Sequence, residues 1–176
     1  KKTGDYPLRK SSGALSEVEM QYAKIAWKYF ENNYQENTGF VNSVHLYPST
    51  TLWDLTSYLM GLTSANEIGL IDSITFDNRM TKCLQSLSQI KLYKNILPNK
   101  VYNAQNLQMT DYNNYPTDEG IGWSAMDIGR FFSFVNKIIA DSKKDKTKID
   151  KIYTVGPELM MKAVYDVAVR ENIECE

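Results

Sequence analysis

Five acidic side chains are the best placed for chemistry: Asp54 in the polar stretch 38–59, Asp118, Glu119 and Asp127 in the polar stretch 115–130, and Asp111 in a predicted hairpin between them. Hydrolysis of a glycosidic bond needs two carboxyl groups, one as general acid and one as base or nucleophile. Asp54 and Asp127 each stand three residues after a hydroxyl residue, a spacing typical of helix starts. The helix dipole lowers a carboxyl pKa there, so they would act as ionised base or nucleophile, or only as helix caps.

Glu119 differs because it precedes Gly120-Ile121-Gly122-Trp123 and has no evident capping role. An apolar wall from Trp123 would raise the pKa of its carboxyl, as a general acid requires. Asp118 competes for that role, and a solvated loop carboxylate is the alternative. We therefore predict Glu119 as the acid and Asp54 or Asp127 as the base.

Aromatic and polar side chains flank these acids and could bind a sugar. Aromatic rings can stack on the C–H faces of sugar rings, although Trp53 and Trp123 are also explained as core residues. Asn42 and Ser43 could bind hydroxyls or cap a turn, and His45, the single histidine, could donate a proton near neutral pH. The predicted substrate-binding residues are Asn42, Ser43, His45, Tyr47, Trp53, Asp111, Tyr112, Trp123 and Arg130.

Composition limits the class of protein. The chain has 176 residues, 43% of them hydrophobic and 23% charged, which favours one folded domain. The net charge of -1 without a basic face argues against nucleic acid as a partner. One histidine and two separated cysteines, Cys83 and Cys175, exclude a disulfide framework and predict no metal or cofactor. No apolar run reaches the roughly 20 residues of a membrane span.

The elements that must position these residues are mainly helical. Apolar spacing predicts helices over 16–33, 51–68, 75–90 and 124–140, with a short hairpin over 100–112. Polar loops over 39–49 and 115–123, here called the first and second polar loops, precede two of the helices. Paired inner and outer helices with long loops indicate a partial α/α toroid, and a simple helical bundle is the alternative.

The predicted domain organisation has four parts. Residues 1–14 form a loose leader, 15–142 the toroid-like domain, 143–148 a charged linker, and 149–176 a tail. The tail is either strand-turn-helix or one more helical hairpin. Within the first helix we expect the buried stripe to be Tyr22, Ile25, Ala26, Tyr29 and Phe30.

Four motifs, YAKIAWKYFENN, TGFVNSVHLYPSTTLWD, LPNKVYN and GIGWSAMDIGR, resemble in order a bacterial domain family of unknown function that is similar to glucoamylase-like α/α-toroid glycoside hydrolases. The resemblance covers about residues 20–140. It implies an extracytoplasmic, carbohydrate-associated role, with an oligo- or polysaccharide as partner. An Asp is expected where this chain has His45, and the family's domain is longer, which implies that a second chain or a missing half completes the toroid.

The tail resembles a different family. Residues 149–176, IDKIYTVGPELMMKAVYDVAVRENIECE, are similar to the last nucleotide-binding segment of the electron-transfer subunit of dihydroorotate dehydrogenase. One βα unit cannot build a dinucleotide site, because the crevice needs neighbouring parallel strands. We therefore rank three functions: acid–base hydrolysis of a glucan-type polysaccharide, then a non-catalytic glycan-binding or structural module, then a nucleotide- or redox-associated role of the tail.

Overall fold

Four helices and two small antiparallel sheets make up the described part of the chain. The computed structural model describes residues 13–144, and the side chains only as far as residue 138. The helices are α1 (Glu17–Asn33), α2 (Leu52–Glu67), α3 (Ser73–Leu87) and α4 (Ala125–Lys144). The strands are β1 (Ser49–Thr50), β2 (Leu92–Tyr93), β3 (Leu97–Pro98), β4 (Val101–Asn103) and β5 (Met109–Thr110).

Side-chain caps define where the helices begin. Ser16 and Glu19 form a reciprocal capping box on α1, as predicted from their spacing. Asp72 caps α3 by accepting a hydrogen bond of 2.7 Å from the amide of Thr75. Hydrogen bonding to the Thr75 side chain, and to a smaller extent to its backbone amide, lowers the pKa of the Asp72 carboxyl.

Helix α2 is the centre of the packing, since it contacts α1, α3 and α4. The apolar spacing of Leu52, Leu55, Leu59 and Leu62 predicts a buried stripe, and all four are buried. Trp53, Tyr58 and Met60 lie on other sides of the helix, which predicts burial there too. Tyr58 is buried, but the prediction is wrong for Trp53 and Met60. Those two side chains keep 40% and 42% of their surface exposed, because they lie beside α4 at the edge of the contact.

The predicted buried stripe of α1 is wrong for all of its members except Phe30. Tyr22 and Ile25 are about two-thirds exposed, whereas Trp27 is buried and Phe30 packs on α2 against Tyr58. The sequence of α1 carries two apolar stripes at helical spacing, and the structure buries the one that contains Trp27. Periodicity alone identifies an apolar face but does not say which of two faces meets the core.

The predicted hairpin is confirmed by β4 and β5, which pair Val101 with Thr110 and Tyr102 with Met109. Strand β1 joins the other edge of β4, giving the order β1-β4-β5. Strands β2 and β3 form a second, two-stranded sheet, in which Leu92 pairs with Pro98 and Tyr93 with Leu97. Strands of two residues are too short to show an alternating pattern, so β1, β2 and β3 were not predicted.

The fold is therefore mainly α with small antiparallel sheets. A toroid needs more helices than the four that residues 13–144 provide, and the ring stays a prediction. The predicted tail, most of the leader and most of the charged linker lie outside the described residues. The four predicted domain boundaries also stay predictions.

Candidate functional site

The carboxylate of Asp54 is hydrogen-bonded within the protein at the start of α2. Its Oδ2 accepts hydrogen bonds from the Thr51 hydroxyl at 2.6 Å, from the Thr51 amide at 3.3 Å, and from the hydroxyl of Ser43. The Asp54 amide in turn donates to the Thr51 hydroxyl, which completes a capping box. This carboxylate holds the helix start and the first polar loop together.

The predicted sugar-binding pair of the first polar loop, Asn42 and Ser43, is also engaged within the protein. Asn42 is buried, and its Oδ1 accepts a bond of 2.9 Å from Gln35. The hydroxyl of Tyr29 donates to the carbonyl oxygens of Asn42 and Ser43 at 3.1 and 2.5 Å. Burial, and to a smaller extent the charge of Asp54, raises the pKa of Tyr29. The loop is thus anchored on α1.

Only the tip of the first polar loop faces solvent. His45 is exposed, and so are Leu46 and Tyr47 beside it, Tyr47 with 40% of its surface. Leu46 has a φ of 62°, a left-handed backbone conformation that residues other than Gly rarely adopt. Within the described residues no carboxylate is hydrogen-bonded to His45, so proton transfer from it has no relay there.

The start of α4 repeats the arrangement of α2. The Ser124 hydroxyl donates to Asp127 Oδ1 at 2.6 Å, and the Asp127 amide donates back at 3.3 Å. Arg130, one turn further on, lies 4.0 Å above the ring of Trp53. It contacts Met60 Sδ at 3.9 Å and forms no ion pair with an acid within residues 13–144. Trp53 and Arg130 thus form a cation–π contact between the two helices.

Asn99, a residue that the sequence pattern did not identify, organises the second polar loop. It is 1% exposed, and its Nδ2 donates to the carbonyls of Val101 and Thr110. Its Oδ1 accepts from the amide of Ile121 at 2.8 Å, which fixes the loop against β4 and β5. Its position within LPNKVYN was the available signal, since a polar residue between two buried strands must find partners.

Asp111 closes the turn at the beginning of this region. Its Oδ1 accepts from the amides of Asn113 and Tyr115 at 2.9 Å, which is an Asx turn. Three aromatic side chains predicted near the acids project from the same region. Tyr112 and Tyr115 are each 68% exposed and Trp123 is 47% exposed. Their exposure leaves the ring faces open to a ligand.

Glu119 is exposed, and its carboxylate forms no hydrogen bond or ion pair within residues 13–144. Its neighbour Asp118 forms an ion pair with Lys91, with 3.3 Å between Asp118 Oδ1 and Lys91 Nζ. Among the five acids, Glu119 therefore has the carboxylate with the fewest internal partners.

A pocket of about 410 Å³ lies beside the hairpin and the second polar loop. We call it the hairpin pocket. Three chain segments line it, at 89–91, 106–109 and 116–118. Buried Met109 and half-buried Leu107 form its apolar part, and the exposed polar side chains are those of Gln89, Lys91, Asn106, Gln108 and Asp118.

Hydrogen bonds preorganise one side of the hairpin pocket. Asn106 Nδ2 donates to Gln108 Oε1 at 3.0 Å, and the Gln108 amide donates to Asn106 Oδ1 at the same distance. Leu107 between them has a φ of 65°. The Nε2 of Gln108 and the side-chain amide of Gln89 have no protein partner in the described part of the chain, whereas the backbone amide of Gln89 donates to the carbonyl of Ser86. These groups can donate to a ligand without breaking an internal bond.

Two features are absent from the described residues. Residues 13–144 hold no group of three or more His, Cys, Asp or Glu side chains arranged to bind a metal ion. None of the helices in this range is long and apolar enough to cross a bilayer.

Comparison with known proteins gives one family. No curated protein and no solved structure matches the chain. A family described as "Protein of unknown function (DUF3131)" matches residues 21–155. This range includes the starts of α2, α3 and α4, both polar loops and the hairpin pocket. The match spans well over half of the chain, and it agrees with the expectation of a domain family of unknown function. The protein belongs to the DUF3131 family.

Proposed function

We propose that this domain binds an oligosaccharide or polysaccharide at the hairpin pocket. The observation that carries the proposal is the combination of free amide groups with an apolar surface in one cavity. A sugar ring offers hydroxyl groups at its edge and C–H groups on its faces. The side-chain amides of Gln89 and Gln108 can hydrogen-bond to the hydroxyls. The apolar side chains of Leu107 and Met109 can pack against a C–H face. The volume of about 410 Å³ falls within the usual range of roughly 300–1,000 Å³ for ligand sites.

The exposed aromatic residues of the adjoining region support a ligand longer than one sugar. Tyr115 directly precedes Pro116, which lines the pocket, and Tyr112 lies on the same turn. Each tyrosine exposes 68% of its surface, although burying a large aromatic ring is favourable. A polysaccharide that leaves the pocket over these rings would cover them.

Binding is favoured over hydrolysis because two of the three predicted catalytic acids have structural roles. The carboxylates of Asp54 and Asp127 are hydrogen-bonded at the starts of their own helices. A base or nucleophile needs a free lone pair directed at the substrate. The non-catalytic glycan-binding module, ranked second from the sequence, therefore becomes the first proposal.

Isothermal titration calorimetry with a panel of glucan oligosaccharides tests this proposal. We expect Gln108→Ala to weaken binding about tenfold, the effect of losing one or two hydrogen bonds to a ligand. Gln105→Ala is the matched control, because Gln105 is exposed on the same hairpin turn and does not line the pocket. Equal affinities of the two variants, or no heat with any glycan, would contradict the proposal.

Hydrolysis remains a second candidate because of one residue, Glu119. Its carboxylate is free within the described residues and is adjacent in sequence to Asp118 of the pocket. If it acts as the general acid, Glu119→Gln should lower turnover of a bound glucan by roughly 100-fold or more, with little change in binding. Glu67→Gln, at an exposed position at the end of α2, serves as the control. Unchanged turnover in Glu119→Gln would remove this candidate.

Three broader statements belong to the same proposal and rest on the resemblance of the four motifs. They are an α/α toroid that a second chain or a missing half completes, a glucan-type ligand, and an extracytoplasmic location. The third-ranked role, nucleotide or redox chemistry of residues 149–176, draws no support from residues 13–144. Fluorescence titration with a reduced nicotinamide nucleotide tests it, and the carbohydrate proposal predicts no binding.

A further inference from the structure

Helix α1 presents an apolar face to solvent. Five side chains form this outer face, with exposed fractions between 40% and 67%: Val18, Tyr22, Ile25 and Tyr29 on the helix, and Leu15 directly before its cap. They recur at alternating intervals of three and four residues, the spacing of a continuous stripe along one side of a helix. Scattered exposed apolar residues need no explanation, whereas a continuous stripe indicates a contact surface.

The first half of α1 has little to stabilise it within the described residues. Trp27 is the first buried residue of the helix, and Asn33 is the only other one. Isolated helices shorter than about 12–15 residues are marginal in water, because nucleation is costly. The capping box at Ser16 helps, but a cap contributes only about 1 kcal/mol. Before Trp27 only Met20 and Ala23 are even half-buried, so a further packing partner would stabilise this stretch.

We propose that residues 157–173 of the same chain pack on the outer face of α1. In this segment Lys162, Asp166 and Arg170 recur every four residues, and nearly all positions between them are apolar. That pattern predicts an amphipathic helix with a narrow polar strip. Met161, Val164 and Ala168 fall on the side opposite the strip, at intervals of three and four that match those of the outer face.

The chain is long enough to make this contact. The described part of helix α4 extends to Lys144, and α4 packs on α2, the helix on which α1 also packs. Residues 145–156 reach roughly 40 Å when extended, at about 3.3 Å per residue. A body of the size of residues 13–144 has a radius of gyration of about 14 Å. The segment can therefore reach the outer face from the end of α4.

A second copy of the chain is a weaker occupant. At roughly 150–250 Å² for a whole large side chain, the five exposed fractions add to roughly 500 Å² per copy. Pairing two outer faces would bury roughly 1,000 Å², the lower limit for a specific interface. A segment of the same chain is present at a high effective concentration, on the order of millimolar, and needs less area.

Hydrogen exchange of the full chain, read by mass spectrometry, tests the proposal. We expect the amides of residues 20–26 to exchange at least tenfold faster in the double variant Met161→Asp/Val164→Asp than in the unaltered chain. Those of α2 should keep their rates, because Leu55 and Leu59 are buried in the described core. The matched control is Lys162→Ser/Asp166→Ser, which changes the polar strip and should leave all rates unaltered.

A reciprocal pair of variants tests the other side of the contact. Tyr22→Ser/Ile25→Ser alters two exposed residues, so the described core should keep its structure, and residues 159–170 should lose protection. Lys24→Ser/Lys28→Ser, on other faces of α1, should not have this effect. Unchanged rates in both test variants would overturn the proposal. Protection of residues 20–26 that rises with protein concentration would also overturn it, because a second copy would then be the occupant.

Discussion

At the scale of single residues, position relative to a helix start decides what a carboxylate does. Asp54 and Asp127 stand three residues after a hydroxyl residue, and both are hydrogen-bonded to that residue. The sequence therefore identified their capping role as one of two explanations, and the geometry supports it. Glu119 lacks such a neighbour and is free of partners within residues 13–144. Spacing can reveal a local cap, but it does not report on contacts across the fold.

The first prediction concerns the cap at Asp54. Asp54→Ala removes the acceptor of bonds from Ser43 and Thr51, so we expect a loss of about 1–3 kcal/mol in the free energy of unfolding. Urea unfolding followed by circular dichroism measures it. Asp77→Ala is the control, because Asp77 is exposed on α3 and makes no side-chain hydrogen bond in the described part. A loss in Asp54→Ala no larger than in the control would contradict the capping role.

The second prediction concerns the thiol of Cys83. Burial raises its pKa to about 12, and its side chain lies in the core. The thiolate form that reacts is therefore scarce near pH 8. In a Cys175→Ser background we expect no reaction with a thiol reagent in native buffer and one thiol per chain in denaturant. Rapid native labelling would show that the core around α3 opens easily.

At the scale of elements, apolar periodicity predicted well which segments form helices. It predicted poorly which face of a helix meets the core. All four helices were predicted. Over 75–90, the spacing of Phe76, Met80, Cys83, Leu84 and Leu87 predicts one buried stripe. The last four are buried, and Phe76 is partly buried against the core. The stripe of α1 was misassigned because the helix has two apolar faces and the sequence contains no information on which one meets α2. The short strands were missed because hydrogen bonding to distant segments, not a local pattern, defines them.

The third prediction concerns Gly39, where the first polar loop meets α3. Its φ is 73°, and a Cβ there would lie 2.8 Å from the backbone nitrogen of Cys83 and 2.7 Å from the side chain of Lys82. Gly69 has nearly the same φ, 71°, but a Cβ would meet nothing within 4 Å. Changing either to Ala costs about 1 kcal/mol for the left-handed conformation. Gly39→Ala should cost about 1–3 kcal/mol more, through the clash with backbone.

Thermal unfolding of the two glycine variants separates the cost of the left-handed backbone, which both share, from the cost of the steric clash, which only Gly39→Ala has. A midpoint of Gly39→Ala several degrees below that of Gly69→Ala is expected. Equal midpoints would show that the loop can move away from α3, and that the first polar loop is held less tightly than its hydrogen bonds to Asn33, Gln35 and Ala104 indicate.

At the scale of the whole molecule, the sequence pointed to one of the three segments that line the hairpin pocket and not to the pocket itself. The second polar loop was predicted, and it contributes Thr117 and Asp118 to the hairpin pocket. The residues Gln89, Asn106 and Gln108 come from two other segments and have no distinctive spacing. Only the pairing of β4 with β5 and the turn held by Asn99 bring them together. A site built from three segments is a tertiary feature, which pattern reading does not reach.

The central claim is that the hairpin pocket, and not the first polar loop, binds carbohydrate. Nuclear magnetic resonance titration with the glucan oligosaccharide that gives the largest calorimetric heat tests it directly. We predict saturable shifts of the backbone amides of Gln89, Gln108 and Asp118, all with one dissociation constant, and no shift of His45 or Tyr47. Shifts confined to His45 and Tyr47, with the pocket amides unmoved, would contradict the claim.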